Sequence, residues 1–380
     1  MVYSIITIFL ALGYAFLMHS YLQGWKSLPD WNMPDDFSPS TKVSILIAAR
    51  NEAAGIKACI PSLLAQNYPS RLYEIIVIDD HSEDATVSVV KSFEDTRVRV
   101  LRLSEYLKER PKSAFKKRAL ETGIAHAIGD LIVSTDADCL AGPDWLPLLV
   151  SYYETHQPKF IAAPVNMMDE KNLLQRFQSL DFMGMMGITG AGIWKGFMHM
   201  SNGANMAYEK NVFEELGGYD GIDHVASGDD MLLMHKIAAA YPGKIGFVKN
   251  KAATIYTEAQ PTLKAFINQR IRWASKSSDY EERLVTAQLA LVFFFCINIV
   301  LSMLLIPFLG KTALVLFLIQ IAIKAIVDYR QLNKMAQFFY RSDLMAVFVP
   351  ALFMHIVYIV AIGTLANLVK RYEWKGRKVR

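Results

Sequence analysis

Residues 2–22 carry no charged side chain, and such a run crosses ~30 Å of hydrocarbon at ~1.5 Å per residue. It lacks the basic start and small-residue cleavage site of a signal peptide, so an uncleaved anchor is expected over residues 1–23. Residues 24–40 contain Pro29, Pro34 and Pro39 and read as an extended connector. From Thr41 to about Tyr280, short apolar runs alternate with helical patterns. The runs at 43–48, 73–78, 98–103, 131–134 and 160–165 have the length of buried strands. Ala119, Leu120, Gly123, Ile124, Ala127 and Ile128 form one helix face. This alternation predicts an α/β domain with a mostly parallel sheet over residues 41–283. Three apolar stretches follow at 284–309, 312–327 and 344–369, making a membrane region over 284–369. Lys324 and Asp328 at helical spacing place the end of the second stretch near the headgroups. Residues 370–380 form a basic tail with Lys370, Arg371, Lys375, Arg377, Lys378 and Arg380. Three crossings after a cytoplasmic domain would carry that tail outside, against the positive-inside rule. Either the second stretch does not cross, or the tail breaks the rule.

Composition agrees with a mixed chain. It is 53% hydrophobic with a mean hydropathy of +0.22, yet 20% of its residues are charged. Those values exclude a disordered protein. A net charge of +4 is too small to argue for a nucleic-acid partner. Cys59, Cys139 and Cys296 are odd in number and widely spaced, so they read as small buried residues in a reducing compartment.

In parallel sheets, ligands bind at the carboxyl ends of the strands. The first strand ends in Ala49-Arg50-Asn51-Glu52, without the Gly-x-Gly-x-x-Gly of a dinucleotide site or a phosphate-loop lysine. The second ends in Asp79-Asp80. Paired carboxylates repel in a dry site but suit donors such as a nucleobase N–H and ribose hydroxyls; Ser82 and Asp84 are expected to cap the next helix. The fourth ends in Asp136-Ala137-Asp138, a pair able to hold one hard cation, Mg²⁺ or Mn²⁺, with a diphosphate. Gly228-Asp229-Asp230 opens a helical pattern, where an acid serves as an N-cap or as a general base. Gln269-Arg270-Ile271-Arg272-Trp273 offers two arginines, an amide and an indole, which suit a diphosphate and a sugar face or else a basic membrane-surface helix.

Taken in order, these five elements closely resemble the membrane-bound family 2 glycosyltransferases, the group of cellulose, chitin and hyaluronan synthases. The resemblance covers about residues 41–280. It implies a GT-A-like nucleotide-sugar-binding domain and inverting transfer. Arg50, Glu52, Asp79, Asp80, Lys116 and Asp136 would then lie on the donor side, and Asp138 would take the metal. Glu121 stands where the family often has Asn. Ser201-Asn202-Gly203-Ala204-Asn205 resembles the acceptor-side segment. Asp230 would be the base, with Asp229 beside it in place of the more frequent Glu. Asn205, Asp229, Gln269, Arg272 and Trp273 would face the acceptor or diphosphate. The implied partners are a nucleotide sugar, in the first place UDP-linked, a lipid or glycan acceptor and the membrane. The implied location is a bacterial inner membrane with the catalytic domain cytoplasmic. The alternatives are a processive polysaccharide synthase, and a non-catalytic subunit that binds nucleotide sugar.

Overall fold

The computed structural model describes residues 1–107, 114–223, 227–275, 282–368, 372–374 and 377–379. In chain order its main elements begin α1 (Val2–Ser27), β1 (Val43–Ala49), α2 (Ala53–Leu64), β2 (Tyr73–Asp79), α3 (Thr86–Lys91), β3 (Val98–Arg102), α4 (Leu103–Tyr106), α5 (Phe115–Ala125) and β4 (Leu131–Asp136). Next come β5 (Leu140–Ala141), α6 (Trp145–His156), β6 (Phe160–Ala162), β7 (Val165–Met168), α7 (Leu173–Lys195), β8 (Met206–Glu209), α8 (Lys210–Glu215), α9 (Met231–Ala240), β9 (Ile245–Phe247) and β10 (Ile255–Glu258). The chain ends with α10 (Leu263–Ala274), α11 (Arg283–Leu304), α12 (Ile306–Leu309), α13 (Lys311–Phe338), α14 (Phe348–Leu368), β11 (Tyr372–Trp374) and β12 (Arg377–Val379).

The chain divides into two compact units, each assembled from separate segments. One, made of residues 29–168, 199–258 and 371–380, holds the α/β sheet. Its strands run in the order β3-β2-β1-β4-β8-β6-β9. The first four are mutually parallel, and β8 runs antiparallel to both its neighbours. β1 and β2 are almost wholly buried, as expected of apolar strands covered on both faces. The expected strand over 160–165 is two strands in two sheets. Pro164 has no N–H for a ladder, and its carbonyl accepts instead from Asn205 Nδ2 and Ile255 N. Ala119, Leu120, Gly123 and Ile124 are buried as expected, but Ile128 lies beyond the end of α5 and is 70% exposed. The extended connector is fastened along this unit: Trp31 N donates to Lys249 O, and Trp31 Nε1 to Ser151 Oγ.

The other unit comprises residues 1–28, 169–198 and 259–370. Four of its helices are long and apolar enough to cross a membrane: Val2–Ser27, Arg283–Leu304, Lys311–Phe338 and Ser342–Ala366. α1 runs to Ser27, past the expected start of the connector at Gly24. The second C-terminal stretch is a helix of 28 residues that continues past Lys324 to Phe338. Lys324 and Asp328 lie inside it, buried against α1. Their salt bridge is 2.6 Å long, and Tyr14 Oη donates to Asp328 Oδ1 while accepting from Lys324 Nζ. Tyr14 is one rung of a ladder with period seven. Thr7 donates to Asn298 of α11 and Tyr21 to Gln288 of α11. In lipid such groups must find partners within the protein, which explains why Thr7, Tyr14 and Tyr21 share one face of α1. α7 joins this unit too. Its Ala191 lies so near Gly24 of α1 that a Cβ on the glycine would approach to 2.8 Å, a small-residue helix contact. Lys370, Arg371, Lys375 and Arg380 of the basic tail lie outside the described residues.

Candidate active site

The register levels the ends of the three central strands. Asp79 stands opposite Ala49, and Asp136 opposite Ala48. Two strand spacings, about 9.6 Å, therefore separate the ends of β2 and β4. The loops after β1 and β2 are knitted together. Arg50 Nη1 donates to the carbonyls of Asp80 and His81 at 2.9 and 2.7 Å, and Nη2 reaches Glu83 Oε1 at 3.3 Å. Arg50 thus holds the Asp79-Asp80 loop from behind. Glu52 is half-buried just before α2, and its amide donates to Thr86 Oγ1. Asp84 accepts from Thr86 N at the start of α3 and also from Ala53 N, while the N-cap itself is Ala85, without a side-chain cap. Ser82 accepts instead from Asn51 N. Asp79 and Asp80 are buried; Asp79 Oδ1 accepts from Ser82 N and Asp80 Oδ1 lies 3.0 Å from His81 Nδ1.

The second cluster joins four segments. From α5, Lys116 Nζ lies 2.8 Å from Asp136 Oδ1 and 3.1 Å from Asp229 Oδ2. Burial opposes its charge, but Asp136 and Asp229 outweigh that and hold the ammonium well above its ordinary value. Asp230 is the N-cap of α9, its Oδ1 accepting from Met231 N at 2.7 Å. Its Oδ2 accepts from Gly203 N at 3.3 Å. The capping role and a chemical role are therefore compatible, because the cap uses one oxygen and leaves the carboxylate half-buried. Gly203 was missed as a residue in its own right. A Cβ there would lie 3.0 Å from Lys116 Nζ and 3.1 Å from Asp229 Oδ2. Its signal was a glycine beside two asparagines in the segment Ser201–Asn205.

Asn205 is the residue of this segment expected on the acceptor side. Its side chain is wholly buried, donates to Pro164 O and Ala253 O and accepts from Trp145 Nε1. It ties strand connections together within the protein.

Asp136, Asp138 and Cys139 bring ligand atoms within 4.8 Å of one another. Carboxylate oxygens suit Mg²⁺ or Mn²⁺, whereas a thiol is a soft donor. Burial, followed by the charges of Asp136 and Asp138, pushes the Cys139 thiol well up, which keeps it protonated. Asp138 is exposed at its rim, but the protein behind it, then the charge of Asp136, raise its carboxyl above the ordinary range. A divalent cation would relieve that repulsion, so the two carboxylates fit one. All three cysteines are buried and free.

Gln269, Arg272 and Trp273 lie on α10, in the unit of apolar helices. Of the two arginines only Arg272 is partly exposed; Arg270 is buried.

The α/β sheet thus gathers carboxylates at its carboxyl edge. Residues 44–217 match the model of glycosyl transferase family 2, and residues 131–364 that of glycosyl transferase family group 2. The chain belongs to glycosyl transferase family group 2. It is 27% identical over 265 residues to Probable glycosyltransferase YdaM of Bacillus subtilis, covering 67% of this chain and 59% of that one. It is 25% identical over 239 residues to the beta-monoglucosyldiacylglycerol synthase of Synechocystis sp., covering 62% and 48%. The matches thus span about half to three-fifths of these relatives' length. Among solved structures, the mannosyltransferase PcManGT from Pyrobaculum calidifontis, in complex with GDP-Man and Mn²⁺, shares the fold. The TM-score is 0.60 at 19% identity, over 96% of this chain and 98% of that one.

Proposed function

We propose that the protein moves one hexosyl group from a nucleoside diphosphate sugar, UDP-linked in the first instance, to a lipid acceptor at the cytoplasmic face of a bacterial inner membrane, with inversion. In this reading residues 41–283 form the catalytic region, 1–23 the anchor, 24–40 the connector and 284–369 the membrane region. The observation that carries it is the gathering of Asp136, Lys116, Asp229 and Asp230 beside the strand end that bears Asp138.

Asp79 and Asp80 receive the base and ribose, held in place by Arg50. Asp136 and Asp138 would hold Mg²⁺ or Mn²⁺, which when bound supplies charge neutralisation for the diphosphate. Lys116 holds Asp136 and Asp229 in place. Asp230 takes the proton from the acceptor hydroxyl as that oxygen attacks the anomeric carbon from the face opposite the diphosphate. One displacement inverts the configuration and needs no covalent sugar–enzyme intermediate. Arg272 and Trp273 serve the diphosphate and acceptor side. The similarity to a synthase of a glucosylated diacylglycerol supports a lipid acceptor.

The test is a radiolabel transfer assay on membranes carrying the protein or Asp230→Asn. Donors are UDP-glucose, UDP-galactose, UDP-N-acetylglucosamine and GDP-mannose, with Mn²⁺ or Mg²⁺. Label is expected in solvent-extractable lipid, reduced by about 10²–10⁴-fold in the variant, the usual contribution of a general base. Nucleotide-sugar binding by calorimetry should be unchanged. Label retained in polymer would replace the single-transfer reading with a processive one. Full turnover in Asp230→Asn would end its assignment as base.

A further inference from the structure

We propose that Arg270 is a positioning residue: clamped by Asp181, it fixes the indole of Trp273 and, through that ring, the acceptor side of the transfer site. The second half rests on the proposed role of Trp273. Arg270 lies inside Gln269-Arg270-Ile271-Arg272-Trp273, and its guanidinium is turned into the protein at 1% exposure. It lies 4.3 Å from the centroid of Trp273, 5.1 Å from Phe266 and 5.7 Å from Tyr358. Three rings from α10 and α14 therefore cage one cation. Phe266 and Trp273 stand four residues before and three after it, the helical spacing at which side chains meet.

A caged guanidinium still needs a counter-charge, because a buried unpaired cation is costly. Asp181 of α7 supplies it, its Oδ2 lying 3.3 Å from Arg270 Nη2. His355 Nε2 of α14 is 3.9 Å from the other carboxylate oxygen. The residue after Asp181 is Phe182, whose ring lies 5.9 Å from that of Trp273. α7 thus sends a charge to Arg270 and a ring to Trp273 from adjacent positions. None of the three Arg270 nitrogens has a hydrogen-bond partner among the described residues. The hold is ionic and through ring faces, which suits a planar guanidinium and not the point charge of lysine. One face of Trp273 is taken by Arg270, while the indole as a whole stays half-buried.

The test uses the full chain in detergent, labelled with 5-fluorotryptophan, with Trp273→Phe identifying the Trp273 ¹⁹F resonance. In Asp181→Asn and in Arg270→Lys that resonance should shift or split while the other tryptophan signals stay. Membranes carrying either variant should lose at least tenfold in the rate of label transfer to endogenous acceptor, with the KM for the donor that labels wild-type membranes changed less than twofold. An unmoved Trp273 resonance in Asp181→Asn, the isosteric variant, would overturn the clamp, even if Arg270→Lys failed to fold. A raised donor KM, or movement of all tryptophan signals, would overturn it in favour of a general packing role. Wild-type transfer in Trp273→Phe and Trp273→Ala, alongside a shifted resonance in Asp181→Asn, would leave the clamp standing and refute the acceptor-side role of Trp273.

Discussion

At the scale of single residues, the chemistry concentrates where unlike charges are packed against a glycine. Gly203 allows Lys116 and Asp229 to approach the Ser201–Asn205 segment, and its amide steadies Asp230. Gly203→Val should therefore lower transfer by about tenfold or more, the scale of a misplaced catalytic group. Gly203→Ala should cost less, because the flexible tip of Lys116 can yield. Thermal unfolding should move little in either, since the atoms met are side-chain ends. Wild-type rates in Gly203→Val would show that this approach does not matter. The acids at the strand ends and Asp230 were legible in the sequence, because local pattern places them. The burial of Asn205 and the inward turn of Arg270 were not, because both depend on partners far away in the chain.

At the scale of elements, two joints can be tested. Glu154 of α6 accepts from the amides and hydroxyls of both Ser40 and Thr41, fastening the end of the connector. Partial burial alone would raise its pKa, but those bonds outweigh it and hold the carboxyl below its ordinary value. A depressed folded pKa means that the stabilisation is present above the unfolded value of about 4.3 and is lost as pH falls through the folded one. Proteolysis near residues 38–41 should accordingly accelerate in the wild type only below the unfolded value of about 4.3, but at neutral pH in Glu154→Ala. Equal cleavage of both proteins at pH 7 would refute the joint. The second joint is Tyr14–Lys324–Asp328. Asp328→Asn leaves Lys324 buried without its counter-charge, a loss on the order of 3–5 kcal/mol, to be read as a lowered unfolding temperature in detergent. Replacing Lys324 and Asp328 together by Met and Leu should recover most of it. Uncharged length revealed the apolar helices, and Lys324 with Asp328 at helical spacing reads as a pair near the headgroups. Only the neighbouring α1 turns that position into an interior one.

At the scale of the whole molecule, the chain builds its two units from interleaved segments, and α1 is a structural member of one of them. Tyr14, Tyr21 and Trp25 are buried in that unit. Exchanging α1 for an unrelated apolar helix of equal length should preserve membrane insertion but lower the unfolding temperature and broaden the gel-filtration peak in detergent. An unchanged profile would reduce α1 to an anchor.

By itself the sequence determined the α/β class, the apolar helices, the absence of dinucleotide and phosphate loops, and the order of the acidic strand ends. These depend on periodicity and on residue types a few positions apart, which the chain carries locally. The tertiary structure alone decided that α7 and α10 pack with the apolar helices, that Lys116 bridges Asp136 and Asp229, and that Asp181 pairs with the buried Arg270. Each of those is a contact between residues far apart in the chain, where burial and pairing of charge, and not spacing, select the partner.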